Sequence, residues 1–258
     1  MTTTMPATPT GRLLLVPAPL DFGCDTQSPI DAVLPAATLA AAAATTHWVC
    51  ESAKTTRAFL KRVGELQPLA QPLQQQHIVE LPREVHKKGD HRPGFDARPL
   101  LQPALAGHDV GLLSEAGMPA IADPGSSVVR AAHDLGLTVL PLVGPCSLLL
   151  ALAASGLNGQ NFAFVGYLPQ DAAQRQQRIR ELETLALRTG QAQIFIETPY
   201  RNAALLSALL AALQPATRLA VSSGLTLDDA RTRSLPVRAW RERQAPAPEG
   251  PAVFSIGP

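Results

Sequence analysis

The stretch Gly111–Gly156, GLLSEAGMPAIADPGSSVVRAAHDLGLTVLPLVGPCSLLLALAASG, places two loops rich in glycine and proline between short apolar runs. The run Asp109–Leu113 predicts a buried strand, and the loop Ser114–Pro119 follows it directly. A second loop, Gly144–Ser147, stands between a predicted strand and a predicted helix. Because loops that follow parallel strands meet at the same edge of a sheet, this spacing predicts one shared ligand pocket.

The rest of the chain continues the alternation of short strands and helices, which predicts an α/β fold with a parallel or mostly parallel sheet. Strands are expected at Arg12–Pro17, His47–Glu51, Ile78–Leu81, Thr138–Leu142, Phe162–Gly166, Gln191–Glu197 and Arg218–Ser222. Helices are expected at Ala32–Thr45, Lys54–Val63, Pro99–Ala106, Ala172–Arg188 and Arg201–Leu213, and one more closes at Gly136. No clear pattern covers Ser223–Gly250, and Pro251–Ile256 predicts a last strand, with antiparallel pairing as one option.

A length of 258 residues accommodates two domains. The turn-rich segment Leu157–Asn161 predicts the boundary, with an N-terminal α/β domain over residues 11–156 and a C-terminal α/β domain over residues 157–258. Residues 1–10 are expected to form a disordered tail without the features of a signal peptide. The charged segment Pro82–Pro93 is expected to be an exposed loop.

Composition excludes several classes of protein. No apolar run approaches the roughly 18 residues of a membrane span, and a cytoplasmic location is expected. The three cysteines are scattered, so reduced thiols are expected. A net charge of +1 provides no global attraction to nucleic acid, so any contact with RNA must come from local patches.

Motifs for nucleotide binding and for hydrolase activity are missing from the sequence. There is no G-x-G-x-x-G dinucleotide motif, no G-x-x-x-x-G-K-[ST] phosphate loop and no G-x-S-x-G nucleophile elbow. The six histidines show no metal-ligand spacing except for His86 with His91, and loop histidines are usually solvated. No metal is therefore expected.

Four strings carry a resemblance to a known family. In chain order they are SEAGMPAIADPG (114–125), LVGPCSLLLALAASGL (142–157), FVGYLP (164–169) and IFIETPYR (194–201). Their succession resembles the motifs of the tetrapyrrole methylase superfamily. Within it, the chain is most similar to the branch of the small-subunit ribosomal RNA (cytidine-2′-O)-methyltransferases, to which it looks like a sister group.

The resemblance implies two α/β domains with S-adenosylmethionine in a cleft between them, and a homodimer. It implies cofactor contacts from Glu115, Ala116, Gly117, Met118, Pro119, Ile121, Ala122, Gly144, Pro145, Ser147, Tyr167, Leu168, Thr198 and Pro199. Small residues suit such a wall because they leave the backbone accessible to a ligand. That role is expected for Gly117 and Gly144, whereas Gly136 and Gly156 are expected only to make turns.

Methyl transfer to a hydroxyl requires that the acceptor lose a proton, so a general base is needed. The candidate catalytic residues are Glu51, Glu115 and Glu197, each of which has the alternative role of capping a helix or pairing with an arginine. The candidates for substrate binding are Arg57, Lys87, Lys88 and Arg201, and the two arginines either hold a phosphate or bridge to those carboxylates.

Three segments depart from the strings of the ribosomal RNA enzymes: Pro17–Gly23, Leu81–Pro93 and Ser222–Ala230. Arginines follow the last of these at positions 231, 233, 238, 241 and 243, and others mark the helix after FVGYLP, where a solvated helix face explains them equally well. RNA is the expected methyl acceptor. The best single expectation for the reaction is ribose 2′-O-methylation of ribosomal RNA. The alternatives are a tetrapyrrole or other small-molecule acceptor, and a non-catalytic RNA-binding or assembly factor on the same fold.

Overall fold

The structure, a computed structural model, describes residues 10–88, 90 and 94–258, with residues 86–88 described by their backbone alone. The expected tail therefore lies outside the described residues apart from Thr10. The chain divides into two compact units. The first unit comprises the residues up to Phe22 together with Pro29–Pro145, and the second comprises Gly23–Ser28 with Cys146–Pro258.

The first unit is built around a five-stranded sheet in the order β3-β2-β4-β1-β5, in which every pair is parallel, as expected. Its strands are β1 (Arg12–Val16), β2 (His47–Cys50), β3 (His77–Glu80), β4 (Val110–Leu113) and β5 (Thr138–Pro141). Its helices are α1 (Ile30–Val33), α2 (Ala36–Ala44), α3 (Ala53–Gly64), α4 (Arg83–Lys88), α5 (Gln102–Leu105) and α6 (Ser126–Asp134), with 3₁₀ turns at Leu73–Gln75 and Arg98–Leu101.

Apolar layers cover both faces of this sheet. One cluster includes Leu14 and Trp48 with residues of α2 and α3, and the other includes Leu13 and Leu112 with residues of α6. At the centre, a Cβ on Gly111 would lie 2.6 Å from the ring of Trp48, so β2 and β4 require a glycine there. Burial on both faces explains why β1, β2 and β4 contain continuous apolar runs.

The expected helix Ala32–Thr45 is two helices, because Pro35 separates α1 from α2. Proline has no amide hydrogen to donate within a helix, and it disfavours helical backbone at the residue before it. Leu34 is accordingly extended, with φ −117° and ψ 127°.

The expectation of an exposed loop over Pro82–Pro93 is wrong in part. Residues Arg83–Lys88 form α4, and Asp90 is only 5% exposed. Polar composition predicted exposure here, but a buried carboxylate is stable where hydrogen-bond donors surround it, as they surround Asp90.

The second unit contains a sheet in the order β6-β7-β10-β8-β9. Its strands are β6 (Phe162–Tyr167), β7 (Ala192–Glu197), β8 (Arg218–Ser223), β9 (Arg231–Pro236) and β10 (Ala252–Gly257). Its helices are α7 (Ser147–Ser155), α8 (Ala172–Thr189), α9 (Asn202–Ala212) and α10 (Val237–Arg243), with a 3₁₀ turn at Pro199–Arg201.

Only β6 and β7 are parallel in this sheet, so a mostly parallel arrangement is wrong for the second unit. The last strand, β10, lies between β7 and β8 and runs antiparallel to both. Alternation of strands and helices did not reveal this, because β10 enters the sheet from the end of the chain. No helix in the described part of the chain is long and apolar enough to cross a bilayer.

Helix α7 packs in the second unit rather than the first. Its residues Leu148, Ala151 and Leu152 form an apolar cluster with Ile194 of β7 and Val253 of β10. The division between the compact units therefore falls before this helix, whereas the turn signals had placed the boundary after it. Turn composition identifies the end of a helix but not the sheet against which the helix packs.

Candidate functional site

Three loops meet at the carboxyl edge of the first sheet. The loop after β1 contacts the loop after β4 through two backbone hydrogen bonds, from Ala18 N to Gly117 O at 2.9 Å and from Gly117 N to Ala18 O at 3.0 Å. A Cβ on Gly117 would lie 3.6 Å from the carbonyl oxygen of Pro145, which follows β5. Gly117 is thus the point at which all three loops come together.

The glycines of these loops are required for different reasons. Gly117 has φ +71°, a left-handed conformation, and a Cβ there would lie 3.1 Å from a methyl of Leu20. A Cβ on Gly144 would overlap the ring of Pro17. Close packing therefore suffices to explain Gly144, whereas Gly117 combines left-handed backbone with a central position in the site. Gly136 and Gly156, with φ +70° and +71°, have open space around them and follow the ends of α6 and α7, as expected.

The loop after β4 carries backbone strain on either side of Ile121. Ala120 has φ +64° and Ala122 has φ +66°, and left-handed backbone costs an alanine roughly 1–2 kcal/mol. Ile121 between them is 47% exposed. Strained residues of this kind cluster at ligand sites, which supports a functional role for the loop.

Asp90 anchors the far end of this loop at the start of α6. Its carboxylate accepts hydrogen bonds from Gly125 N at 2.7 Å, Ser126 Oγ at 2.7 Å, Ser127 N at 2.8 Å and Ser127 Oγ at 2.8 Å. Burial by itself raises the pKa of Asp90, but the bonds from Ser127, Ser126 and Gly125 outweigh it and hold the pKa below its usual value. The strained segment is therefore held by a buried anion.

Three carboxyl groups gather at the same edge. Glu51, directly after β2, accepts a hydrogen bond through Oε1 from Glu115 N at 3.3 Å. Burial raises the pKa of Asp123 to about 7, and the charges of Glu51 and Glu115 add to the rise. Near neutral pH, Asp123 is therefore divided between its acid and its carboxylate. Among the described residues, no group of three or more His, Cys, Asp or Glu is arranged to hold a metal ion.

Ser114 is the residue at which β4 passes into the loop. Its side chain is 3% exposed, and its Oγ has no hydrogen-bond partner among the described residues. A buried polar group without a partner costs about 1–3 kcal/mol, so this hydroxyl has unused capacity for a polar ligand.

A cavity of about 610 Å³ opens on the α6 side of the loop. Its lining includes Met118, Pro119 and Ile121, together with Arg130 and His133 of α6. Several other predicted cofactor residues do not line it, namely Glu115, Ala116, Gly117, Ala122, Gly144 and Pro145. The cavity therefore accounts for only three of the residues that the resemblance assigns to the cofactor, namely Met118, Pro119 and Ile121.

The loop after β1 is fixed by a buried ion pair. Asp21 is 5% exposed and receives hydrogen bonds from both terminal nitrogens of Arg62 in α3, at 3.2 and 3.1 Å. A two-point arginine–carboxylate contact sets the orientation as well as the distance. Pro17–Gly23 is one of the three segments expected to differ from the strings of the ribosomal RNA enzymes, and the ion pair gives its Asp21 a structural role.

The candidates of the second unit follow the parallel strands β6 and β7. Tyr167 is 57% exposed, and Leu168 is buried in the core. Thr198 is partly buried and Pro199 is exposed. Ser147, also assigned to the cofactor, is the first residue of α7 and is partly buried. Their contact with a cofactor stays a prediction from the resemblance.

Glu197 and Arg201 form an ion pair within the second unit, at 2.6 Å from Oε1 to Nη2. The same Oε1 also accepts hydrogen bonds from Thr198 N at 2.7 Å and from Arg201 Nε at 3.0 Å. Of the two roles considered for Glu197 and Arg201, the structure therefore shows the salt bridge between them. A carboxylate oxygen with so many donors is poorly placed to act as a base.

The remaining substrate candidates are Arg57, Lys87 and Lys88. Arg57 is exposed on α3 and donates to Ala53 O at 3.4 Å. Lys87 and Lys88 belong to α4, and their side chains lie outside the described residues, as do the side chains of His86 and His91. The role of these residues in substrate binding stays a prediction.

Sequence reasoning missed two acidic residues of the site. Asp123 lies within the string SEAGMPAIADPG but is not among the predicted site residues, and Asp90 was assigned to an exposed loop. The position of Asp123 after a buried strand was a usable signal for a site residue. No local signal identifies Asp90, because its partners lie 35 to 37 residues further along the chain.

Comparison with known proteins agrees with this architecture. Residues 49–239 match the family of tetrapyrrole (corrin/porphyrin) methylases. The ribosomal RNA small subunit methyltransferase I of Mesorhizobium japonicum is 32% identical over 211 residues, which cover 81% of this chain and 65% of that protein. The protein of the same name from Vibrio cholerae is 37% identical over 112 residues, covering 43% and 38%. The chain thus spans less than two thirds of these relatives.

Two solved structures share the fold. The uroporphyrin-III C-methyltransferase of Thermus thermophilus, complexed with S-adenosylhomocysteine, has a TM-score of 0.54 at 18% identity and covers 96% of this chain and 97% of its own. A conserved hypothetical protein of Aeropyrum pernix K1 has a TM-score of 0.59 at 18% identity, covering 96% and 84%. The match to most of the sequence and the two α/β units agree, and the chain belongs to the family of tetrapyrrole (corrin/porphyrin) methylases.

Proposed function

We propose that this protein is an S-adenosylmethionine-dependent methyltransferase whose methyl acceptor is RNA. The observation that carries the proposal is the identity of 32% over 81% of the chain to a protein named for methylation of small-subunit ribosomal RNA. The carboxyl edge of the first sheet supports it, because strained backbone, a buried unpartnered hydroxyl and a perturbed carboxyl occur there together.

The residues at that edge suit this cofactor. S-adenosylmethionine, when bound, supplies an electrophilic methyl group on a positively charged sulfonium. The negative charges of Glu51 and Glu115 complement a cationic ligand. The hydroxyl of Ser114 has capacity for one more hydrogen bond. We assign these three residues and Asp123 to cofactor or acceptor contact.

The same carboxyl groups provide proton chemistry. A hydroxyl acceptor must lose its proton, and a group that titrates near the working pH exchanges protons most effectively. With a pKa of about 7, Asp123 satisfies this requirement beside Glu51 and Glu115, the bases expected from the sequence. Glu197 is the weakest of the candidates because Arg201 and Thr198 hold its oxygen.

Ribose 2′-O-methylation of ribosomal RNA is the specific reaction that we propose. It rests on the resemblance of the four motifs and on the names of the relatives, whose sequences extend well beyond the aligned part. The second candidate acceptor is a tetrapyrrole, favoured by the family that the chain matches. Homodimerisation and a cytoplasmic location belong to the same proposal, and sedimentation of the purified chain tests the first of them.

Calorimetric titration of the purified chain with S-adenosylhomocysteine tests the cofactor. We expect one site per chain, with a dissociation constant in the micromolar range. Absence of binding contradicts the proposed function as a whole, whichever acceptor is assumed.

Transfer of a labelled methyl group tests the acceptor. Small-subunit ribosomal RNA from a deletion strain, incubated with the protein and labelled S-adenosylmethionine, is expected to gain one methyl group that nuclease mapping places on a ribose. Label on uroporphyrinogen III instead of RNA supports the tetrapyrrole candidate. Cofactor binding without transfer to either supports a non-catalytic factor on the same fold.

A further inference from the structure

Strand β9 and helix α10 form the most strongly charged segment of the second unit. Within Arg231–Arg243 there are five arginines and one glutamate, a net charge of +4 in 13 residues, whereas the whole chain carries +1. The arginines are Arg231 and Arg233 on β9 and Arg238, Arg241 and Arg243 on α10. We call these five residues the arginine surface.

The fold brings the two parts of this surface to one side of the sheet. Strand β9 is an edge strand that pairs only with β8 among the described strands, and Arg233 lies opposite Val221. Val221 belongs to the same apolar cluster as Val237 and Trp240 of α10. Arg231, two residues before Arg233, shares its face of the strand. The arginines of the strand therefore project on the side that α10 covers.

Two of the five guanidinium groups have structural roles. Arg241 donates to Leu210 O at 2.8 Å and Leu213 O at 2.9 Å and so satisfies carbonyl groups at the end of α9. The guanidinium of Arg233 lies 5.4 Å from the ring centroid of Trp240, in a cation–π contact. Both contacts hold the charges in defined positions.

For the other three arginines, the described part of the chain shows no comparable contact of the guanidinium group. Arg231, Arg238 and Arg243 are exposed, and within the described part of the chain none of the five forms an ion pair with a carboxylate. Five like charges in a short segment repel one another unless an anion neutralises them. Asp228 and Asp229 precede the segment and Glu242 lies within it, but none of them forms an ion pair with these arginines in the described part of the chain. The excess of positive charge therefore suits an anionic partner.

We propose that the arginine surface binds the phosphate backbone of RNA. This inference rests on the proposed RNA acceptor and assigns to this acceptor a contact surface that is separate from the carboxyl cluster of the first unit. Guanidinium groups bind phosphate in a planar, two-point manner, and all five cations are arginine rather than lysine. Residues two apart on a strand are about 6.6–6.8 Å apart, comparable to successive phosphates along an RNA strand.

An anionic membrane fits this surface less well. Peripheral membrane proteins usually combine basic residues with exposed apolar side chains that enter the lipid. The exposed large apolar residues of the described chain include none between Arg231 and Arg243, and Trp240 is only 2% exposed. The charge is therefore suited to a polyanion at the surface rather than to insertion into a bilayer.

The test measures the affinity of the full chain for a fluorescein-labelled 30-nucleotide RNA of mixed sequence by anisotropy, between 50 and 200 mM KCl. The variant combines Arg231→Gln, Arg238→Gln and Arg243→Gln and leaves the two structural arginines in place. We expect affinity at 100 mM KCl to fall at least 10-fold. The slope of log K against log salt should fall by about 2, since each single-strand phosphate contact contributes about 0.7.

A matched control removes three arginines from α8 in the same unit: Arg178→Gln, Arg180→Gln and Arg188→Gln. One of these is already paired, with 3.3 Å between Arg178 Nη1 and Glu181 Oε2. We expect less than a 3-fold loss of RNA affinity. Equal losses of RNA affinity in the two triple variants, or no binding of RNA by the unaltered chain, overturn the proposal. The same proteins are tested for binding to vesicles containing phosphatidylglycerol, and a variant that loses affinity for the vesicles but not for RNA also overturns it. If the triple variant unfolds, the three single variants replace it, each expected to lose about 2-fold or more.

Calorimetry with S-adenosylhomocysteine separates this inference from the proposed function. Both triple variants are expected to bind the cofactor as the unaltered chain does. Cofactor binding together with RNA affinity that does not depend on the arginine surface contradicts only the inference. Absence of cofactor binding by the unaltered chain, with RNA affinity still dependent on the arginine surface, contradicts only the proposed function.

Discussion

The two edges of the first sheet each collect three titratable side chains of one kind. The carboxyl edge holds Glu51, Glu115 and Asp123, and the amino edge holds His47, His77 and His108, whose rings stack with centroids 4.7 and 4.8 Å apart. Parallel strands explain both sets, because they begin at one edge and end at the other. Their surroundings differ.

At the amino edge, His77 and His108 are exposed, and His47 starts β2 in register with His77. At the carboxyl edge, the loops contain left-handed alanines, a buried hydroxyl without a partner and a carboxyl whose pKa is about 7. The difference teaches that a cluster of titratable side chains of one kind does not by itself mark a site. Burial and strain, which reduce stability and therefore require compensation, distinguish the carboxyl edge.

The largest expected effect comes from Gly117→Val. The branched side chain would enter the point where the three loops meet, so we expect binding of S-adenosylhomocysteine to weaken at least about 1,000-fold, or about 4 kcal/mol. The control is Gly136→Val, which has nearly the same φ, +70° against +71°, but open space around it. Gly117→Val should lose somewhat more stability than the control, because its Cβ would lie 3.1 Å from a methyl of Leu20, and only Gly117→Val should lose binding in calorimetry. Unfolding of the first alone, seen by circular dichroism, would show that Gly117 serves only the fold.

The next effect is that of Asp90→Ala, which leaves the start of α6 without its four hydrogen bonds. We expect a loss of about 2–4 kcal/mol in the free energy of unfolding by urea. Asp171→Ala is the matched control, since that carboxylate caps α8 at an exposed position by accepting a hydrogen bond from Gln174 N at 2.9 Å. Its loss should be about 1 kcal/mol. Equal losses would mean that burial of Asp90 adds nothing to the anchor.

A smaller effect is expected from Asp123→Asn, and it depends on pH. The folded pKa of about 7 lies above the unfolded value of about 3.9, so the folded state binds more protons between these values. The contribution of Asp123 to the stability of the fold is therefore fully present below about pH 4 and is lost as the pH rises through 7. Three pKa units correspond to at most about 4 kcal/mol. Solvent reaches the partly buried Asp123, so we expect the variant to be more stable than the unaltered chain by about 1–2 kcal/mol at pH 8 and equal to it at pH 4. Urea unfolding at both values measures this, and a constant difference would contradict the carboxyl cluster.

The smallest effect belongs to the amino edge and has the opposite sign. Burial and the neighbouring His77 and His108 lower the pKa of His47. Its contribution to stability is therefore present above the unfolded value of about 6.5 and is lost as the pH falls through the lower folded pKa. Between pH 7 and pH 5 we expect a loss below about 1 kcal/mol, because the stack is largely exposed. His77→Gln with His108→Gln should reduce that loss, and an unchanged pH profile would show that the rings do not interact.

Much of the first unit was predictable because its strands obey simple rules. The runs that became β1, β2 and β4 are buried on both faces, so each is a continuous apolar segment that can be recognised without a partner. The break at Pro35 was also available from local chemistry, although the apolar pattern on either side concealed it. The edge strand β9, RTRSLP, carries no such signal, because one side of an edge strand has no partner to bury it.

The sequence by itself determined the α/β class, the two loops around Gly117 and Gly144, and the family, because each depends on residues close together in the chain. Tertiary structure alone decided that Asp90 is a buried anchor, that β10 lies between β7 and β8, and that Asp123 joins Glu51 and Glu115. Glu51 and Glu115 are 64 residues apart, and their contact exists only because β2 and β4 are neighbours. Electrostatic interaction depends on the distance between charges in space. The order of the strands in the sheet sets that distance, and local sequence does not encode this order.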